Sequence, residues 1–88
     1  MKYQVEYTKS AVKQLKKMDR KIAALILSYI EDKLIDCENP RAYGKALIGD
    51  KKEIWRYRVG DYRILAMIED EVLIITVVEV GHRKSIYE

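Results

Sequence analysis

Three consecutive strand-like runs occupy most of the C-terminal half of the chain, at residues 53–59, 62–68 and 72–80. Only Gly60 and Asp61 separate the first two runs, and a two-residue Gly-Asp connection is typical of a tight hairpin. Residues 69–71, which are all acidic, supply the second turn. Because strands joined by such short loops pair antiparallel, the sequence predicts an antiparallel meander.

The N-terminal half predicts one strand followed by two helices. Residues 2–7 alternate between apolar and polar side chains, as half-buried strands do. Thr8 or Ser10 can cap a first helix, and Asp19 can cap a second. The apolar stripe of that second helix is Ile22, Leu25, Ile26, Tyr29, Ile30 and Leu34. The short connection between the helices predicts a helical hairpin.

These elements predict a single α+β domain over residues 1–88. The expected order is β-α-α-β-β-β, with a single antiparallel β-sheet and the N-terminal helical hairpin packed on one face. Residues 40–52, which contain Pro and two Gly, are expected to form a loop.

Composition narrows the classes of function. No apolar run approaches the roughly 20 residues of a membrane span, and the N-terminus lacks a signal-peptide core. Cys37 is the single cysteine, and no Cys/His grouping has metal-ligand spacing. We therefore expect a cytoplasmic protein with no cofactor, no metal and no membrane partner. The net charge of +3 permits an acidic partner without requiring one.

The two-residue turn also fixes which residues of the hairpin face each other. If Val59 faces Tyr62, then Arg58 faces Arg63, and the period of two places Arg56 on the same side. Like charges opposite one another destabilise a strand pair, whereas a bound anion would make them favourable. Arginine suits bidentate phosphate contacts. A phosphate site is predicted; the alternative is a solvated face whose arginines pair with nearby carboxylates.

Aromatic residues alternate with these arginines. Trp55 and Tyr57 fall in the opposite phase of the strand, and Tyr62 shares that phase. We expect these three rings to lie in the core beneath the helices.

A basic segment follows the last strand. Arg83 is placed to join the same patch, and nearby cations favour a phenolate at Tyr87, a candidate general base. The alternative for Tyr87 is a ring that closes the core. His82 is a candidate proton donor or a structural residue, and Glu79 is a further candidate base or an ion-pair partner of Arg83.

Three segments carry a resemblance to a known family. They are GKALIG at 44–49, WRYRVGDYR at 55–63 and VGHRKSIY at 80–87. In this order the chain resembles, over its whole length, the RelE/ParE toxin superfamily, and its RelE branch most. The resemblance implies a toxin of a type II toxin–antitoxin system, with a cognate antitoxin as partner and no direct DNA binding except through that antitoxin.

The RelE branch further implies a metal-independent endoribonuclease, an mRNA interferase that cuts mRNA in the ribosomal A site and so inhibits translation. The mRNA 2′-OH attacks the adjacent phosphate, leaving a 2′,3′-cyclic phosphate and a 5′-OH. The family's catalytic positions fall on Arg56, Arg58, Arg63, Arg83 and Tyr87. Tyr87 would be the base and Arg83 or His82 the acid. Arg56, Arg58, Arg63 and Lys84 would bind RNA.

Three other functions remain open from the sequence. The ParE branch shares the fold but inhibits DNA gyrase and is not a nuclease. A ribosome-independent RNase would use the same cations. A binding module would use the basic face only for a protein partner, in which case charge reversal at Arg63 would damage partner binding alone.

The substitution Tyr87→Phe tests the predicted base. Loss of the hydroxyl should reduce mRNA cleavage on translating ribosomes by about 10²- to 10⁴-fold, with an unchanged circular dichroism spectrum. Unchanged cleavage would transfer the base role to Glu79 or His82.

Overall fold

The computed structural model describes residues 1–47 and 54–82. The elements are β1 (Gln4–Tyr7), α1 (Lys9–Lys17), α2 (Arg20–Lys33), a 3₁₀ turn (Pro40–Ala42), β2 (Lys45–Ala46), β3 (Ile54–Val59), β4 (Tyr62–Glu69) and β5 (Ile74–His82). This order confirms the predicted strand, helical hairpin and three-strand meander. It also adds β2 inside the predicted loop, because two residues there pair with β3.

The sheet has five strands in the order β1-β5-β4-β3-β2. The prediction of a purely antiparallel sheet is wrong for one pair, since β1 runs parallel to β5, with Gln4 opposite Ile74 and Tyr7 opposite Val77. Tight turns dictate antiparallel pairing within the meander, but β1 joins the meander only through the helices. Its direction is therefore set by packing, and the sheet is mixed.

Side-chain caps fix the starts of both helices. Thr8, rather than Ser10, caps α1, with its Oγ1 accepting a hydrogen bond from the Ala11 amide at 3.1 Å. Asp19 caps α2 by accepting from the Lys21 amide at 2.8 Å, as predicted. Each cap satisfies an amide that the helix itself leaves unpaired. Neither helix has the length and hydropathy that a bilayer-spanning helix needs.

The core lies between the helical hairpin and one face of the sheet. Its fully buried members include Ile26, Ile30, Leu34, Tyr57, Ile64, Ala66, Ile75, Val77 and Val80. Trp55 and Tyr62 pack against this cluster, which confirms their predicted phase. Leu25, predicted in the apolar stripe, is instead 54% exposed. The Tyr57 hydroxyl meets its polar requirement inside the core by donating to the Pro40 carbonyl at 2.6 Å.

A β-bulge in β5 determines which residues of this strand lie on the helix-free face, the face of the sheet opposite the helical hairpin. Leu65 lies opposite Glu79 while Ala66 lies opposite Val77, so Val78 is the extra residue. The extra residue reverses the alternation, which leaves both Val77 and Val80 buried. The Val80 amide donates to Gln14 Oε1 at 2.7 Å, which ties the strand beyond the bulge to α1.

A polar cluster links the start of the chain to the β4–β5 turn. The Tyr3 hydroxyl donates a hydrogen bond to Asp70 Oδ1 at 2.6 Å, and Arg41 Nη1 lies 2.9 Å from the same oxygen. The hydrogen bonds from Arg41 and then from Tyr3 lower the pKa of the Asp70 carboxyl. The same carboxylate raises the pKa of Tyr3. Because the Arg41 guanidinium also lies 6.0 Å from the Trp55 ring centroid, the cluster reaches β3.

The lowered pKa of Asp70 predicts a specific pH dependence of stability. The stabilising contribution of the carboxylate is fully present above its ordinary pKa of 3.8 and is lost as the pH falls through the lower folded-state value. Urea unfolding should therefore find Asp70→Asn less stable than the natural chain at neutral pH, with the difference shrinking in acid. The neighbouring Glu71→Gln variant is the control. A difference that stays constant with pH would contradict the assignment.

A candidate anion-binding pocket

The hairpin register places two pairs of cations side by side on the helix-free face. Arg58 lies opposite Arg63, as predicted, and Lys45 lies opposite Arg56 in the neighbouring strand pair. Side chains directly opposite in a sheet have Cβ atoms roughly 4.5–5.5 Å apart. Four cationic residues are therefore mounted on three adjacent strands.

These cations line a pocket at the edge of the sheet. Within the described residues, the two residues of β2 pair with Arg56 and Trp55. The end of β3 that carries Arg58 therefore extends beyond β2 at this edge. The pocket has a volume of about 380 Å³. Its described lining is Tyr29, Tyr43, Gly44, Lys45, Arg56, Arg58 and Arg63. We refer to this set as the arginine pocket.

Burial differs among the arginines. Arg58 is exposed, Arg56 is half-buried, and Arg63 is only 8% exposed. Arg63 Nη1 lies 3.5 Å from the Tyr62 carbonyl oxygen, at the outer limit of a hydrogen bond. Across the sheet, Arg63 faces Gly81, so β5 places no side chain directly beside it. A guanidinium held this way is oriented before a ligand arrives, and its planar fork matches the oxygens of a phosphate.

The segment before β2 is packed closely against β3. Trp55 Nε1 donates to the Tyr43 carbonyl at 2.7 Å. Gly44 has a φ of +78°, and a Cβ at this position would collide with the main-chain oxygen of Arg56. Lys33 Nζ lies 5.1 Å from the centroid of the Tyr43 ring. Glycine at position 44 is what allows the aromatic side of the pocket to approach the cationic side.

The structure brings together some of the predicted site residues and separates one. Arg56, Arg58 and Arg63 share the arginine pocket. His82 pairs in register with Tyr62, on the opposite face from Arg63, and the His82 and Tyr62 rings meet edge to face with centroids 5.3 Å apart. Its proposed acid role stays a prediction. The predicted residues Arg83, Lys84 and Tyr87 lie outside the described residues.

Sequence reasoning missed the other pocket residues. Lys45 and Gly44 belong to the GKALIG segment, but the composition of residues 40–52 predicts a loop and gives no indication that Lys45 pairs with Arg56. Tyr29 fits the apolar stripe of α2 equally well as a core residue, and no local pattern indicates that it reaches the pocket. Tyr43 carried no signal beyond its position near Gly44.

The described residues offer no metal centre. No group of three or more His, Cys, Asp or Glu side chains suited to a metal ion occurs within residues 1–47 and 54–82. Cys37 is a half-buried free thiol whose pKa is raised by burial. The predicted lack of a metal stays a prediction.

Two of the solved structures with the same architecture contain toxins of the RelE type. The toxin–antitoxin complex RelBE2 from Mycobacterium tuberculosis contains a chain that matches with a TM-score of 0.84 and 29% identity, over 94% of this chain and 93% of that chain. A mutant of toxin RelE from Escherichia coli matches with a TM-score of 0.78 at 20% identity, over 99% of this chain and 90% of that chain. The second likeness shows the fold alone. The α+β fold is therefore that of RelE-type toxins.

Sequence comparisons define the family. Toxin RelG of Mycobacterium tuberculosis is 31% identical over 87 residues, covering 99% of this chain and 98% of RelG. Toxin RelE of the same organism is 29% identical over 85 residues, covering 97% of this chain and 86% of that toxin. A family model described as the ParE toxin of the type II toxin–antitoxin system parDE matches residues 5–87. The chain belongs to this toxin family, within the RelE/ParE superfamily.

The close contact at Gly44 predicts that this position tolerates no side chain. Gly44→Ala should lower the free energy of unfolding by more than Gly60→Ala, as measured by urea denaturation. Gly60 also has a positive φ, of +60°, but a Cβ there meets nothing within 4 Å. The Gly60→Ala variant should lose only about 1–2 kcal/mol of unfolding free energy, which is the cost of holding an alanine at a positive φ. Equal losses at the two positions would mean that the contact with β3 is relieved at no cost.

Proposed function

We propose that this toxin is a ribosome-dependent endoribonuclease that cuts mRNA in the A site. The arginine pocket carries the proposal, because it gathers Lys45, Arg56, Arg58 and Arg63 on a sheet. A fold that served stability alone would gain nothing from opposing like charges in two adjacent strand pairs. The charge of an RNA backbone turns that repulsion into binding energy.

The cation cluster suits strand cleavage by the mRNA 2′-OH. When this oxygen attacks the adjacent phosphate, negative charge builds on the phosphoryl oxygens before the 5′-oxygen departs. Preorganised cations stabilise that charge more than they stabilise the ground state. In this proposal Arg63, which is nearly buried, orients the phosphate, and Arg58, which is exposed, contacts it from the solvent side. The products are a 2′,3′-cyclic phosphate and a 5′-OH.

Proton transfer completes this reaction. In the family pattern the base falls on Tyr87, which takes the proton of the 2′-OH, and Arg83 or His82 gives a proton to the leaving 5′-oxygen. We favour Arg83 as the acid, because the His82 ring packs against Tyr62 on the other side of the sheet from Arg63.

The proposed partners are a cognate antitoxin and the ribosome with mRNA in its A site. Two similar toxins have been solved in complexes, RelBE2 from Mycobacterium tuberculosis and the archaeal RelE–RelB complex from Pyrococcus horikoshii, which supports an antitoxin partner here. An acidic or amphipathic antitoxin segment that covers the arginines would block the pocket. Action on ribosomes places the toxin in the cytoplasm.

Gyrase inhibition is the second candidate function, because the matching family model is described as a ParE toxin. In that case the arginine pocket would bind an anionic group without cleaving RNA. A supercoiling assay on purified gyrase distinguishes this function from the first.

Mapping of mRNA 5′ ends tests the proposed reaction. The purified toxin should produce cuts in phase with A-site codons on translating ribosomes and none on naked mRNA. Arg58→Ala should slow cleavage by about 10²-fold or more, since one charge-stabilising group is lost. Arg20→Ala removes an exposed arginine outside the pocket and should leave cleavage unchanged.

Two outcomes contradict the proposal. Cuts on naked mRNA as well as on ribosomes would indicate a free ribonuclease. No cuts on either sample, together with inhibition of gyrase, would establish the ParE-like function instead.

A further inference from the structure

The arginine pocket has an aromatic side that the proposed reaction does not use. Its cations account for a phosphate, and they come from β2, β3 and β4. Tyr29 comes from α2, and Tyr43 comes from the segment before β2. A nucleotide carries a flat base beside its phosphate. The base stacks on aromatic side chains, and the phosphate binds cationic side chains.

Tyr43 is the exposed and fixed member of this aromatic side. The residue is 43% exposed. Its carbonyl is held by the Trp55 indole, and the next residue, Gly44, is pressed against β3. An accessible ring whose backbone is anchored in this way loses little freedom when a ligand stacks on it.

Tyr29 is instead half-buried and packs against the core. Its ring centroid lies 6.2 Å from that of the buried Tyr57, in a tilted arrangement. Burial raises the pKa of Tyr29, so its phenol remains neutral at physiological pH. Tyr29 therefore forms a neutral wall of the pocket, and Tyr43 offers the surface that a ligand can cover.

We propose that Tyr43 forms a base subsite, on which one unpaired RNA base stacks while the adjacent phosphate lies against Arg56, Arg58 and Arg63. This inference rests on the proposed function and adds a residue that contacts the substrate base. The pocket volume of about 380 Å³ lies within the roughly 300–1,000 Å³ of small-ligand pockets. Lys33 Nζ lies over one face of the Tyr43 ring, 5.1 Å from its centroid, so the base stacks on the other face.

The contribution of base stacking to the binding affinity can be measured separately from that of the phosphate. The probes are a trinucleotide with 2′-O-methyl riboses, which has no nucleophilic hydroxyl, and the same trinucleotide with an abasic central residue. Their affinities for the isolated toxin are measured by calorimetry at one fixed salt concentration, because phosphate binding depends on salt.

We expect Tyr43→Ala to weaken binding of the base-bearing probe by about tenfold and to leave binding of the abasic probe unchanged. Tyr43→Phe keeps the ring and should keep the affinity. Arg58→Ala should weaken both probes by the same factor. Leu25→Ala, which shortens an exposed side chain of α2 outside the pocket, is the control for the fold.

Three results would overturn the base subsite: an equal loss for both probes, no loss in Tyr43→Ala, or no binding of either probe by the natural chain at millimolar concentration. The test is independent of ribosomal activity. If mRNA cuts are absent while the base-dependent pattern holds, the ribosomal nuclease is wrong and the base subsite stands. If cuts occur without that pattern, the nuclease stands and the base subsite is wrong.

Discussion

The register of the β3–β4 hairpin is the constraint on which the rest of the molecule depends. Gly60 takes a positive φ in a two-residue loop, and this loop leaves Arg58 opposite Arg63. Because side chains alternate between faces, a shift of one residue would turn the arginines toward the helices and Tyr57 toward solvent. The turn that closes the hairpin therefore also separates the core from the arginine pocket. The loop residues Gly60 and Asp61 therefore determine both the packing of the core and the position of the arginines.

The core easily outweighs the repulsion within the pocket. Burial of a large apolar side chain such as Ile64 contributes about 1.5–3 kcal/mol, whereas like charges opposite one another cost up to about 1 kcal/mol per pair. The bulge at Val78 changes the face on which the following residues of β5 lie. It keeps Val80 in the core and brings Gly81, which has no side chain, beside Arg63. The sheet can therefore hold a cluster of cations close together without losing its packing.

What the sequence could predict follows the range of the interactions involved. The Arg58–Arg63 pairing and the inward phase of Tyr57 follow from a turn of two residues, so local pattern was sufficient. The parallel pairing of β1, the strand at Lys45 and the bulge depend on segments brought together only by tertiary packing. Tertiary packing also brings Tyr29 and Tyr43 to the pocket. No periodicity marks such residues, because their chemistry matches that of ordinary core or surface tyrosines.

Charge segregation along the sheet gives the pocket its field. In β4, Arg63 lies six residues before Glu69, a separation of roughly 20 Å along an extended strand. The acidic turn that follows is thus more than two Debye lengths from Arg63, since that length is about 8 Å at physiological salt. Asp70 is further engaged by Arg41 and Tyr3. The turn lowers the net charge of the chain without cancelling the potential at Arg63. The proposed binding of an anion therefore depends on local cation geometry rather than on the overall charge of +3.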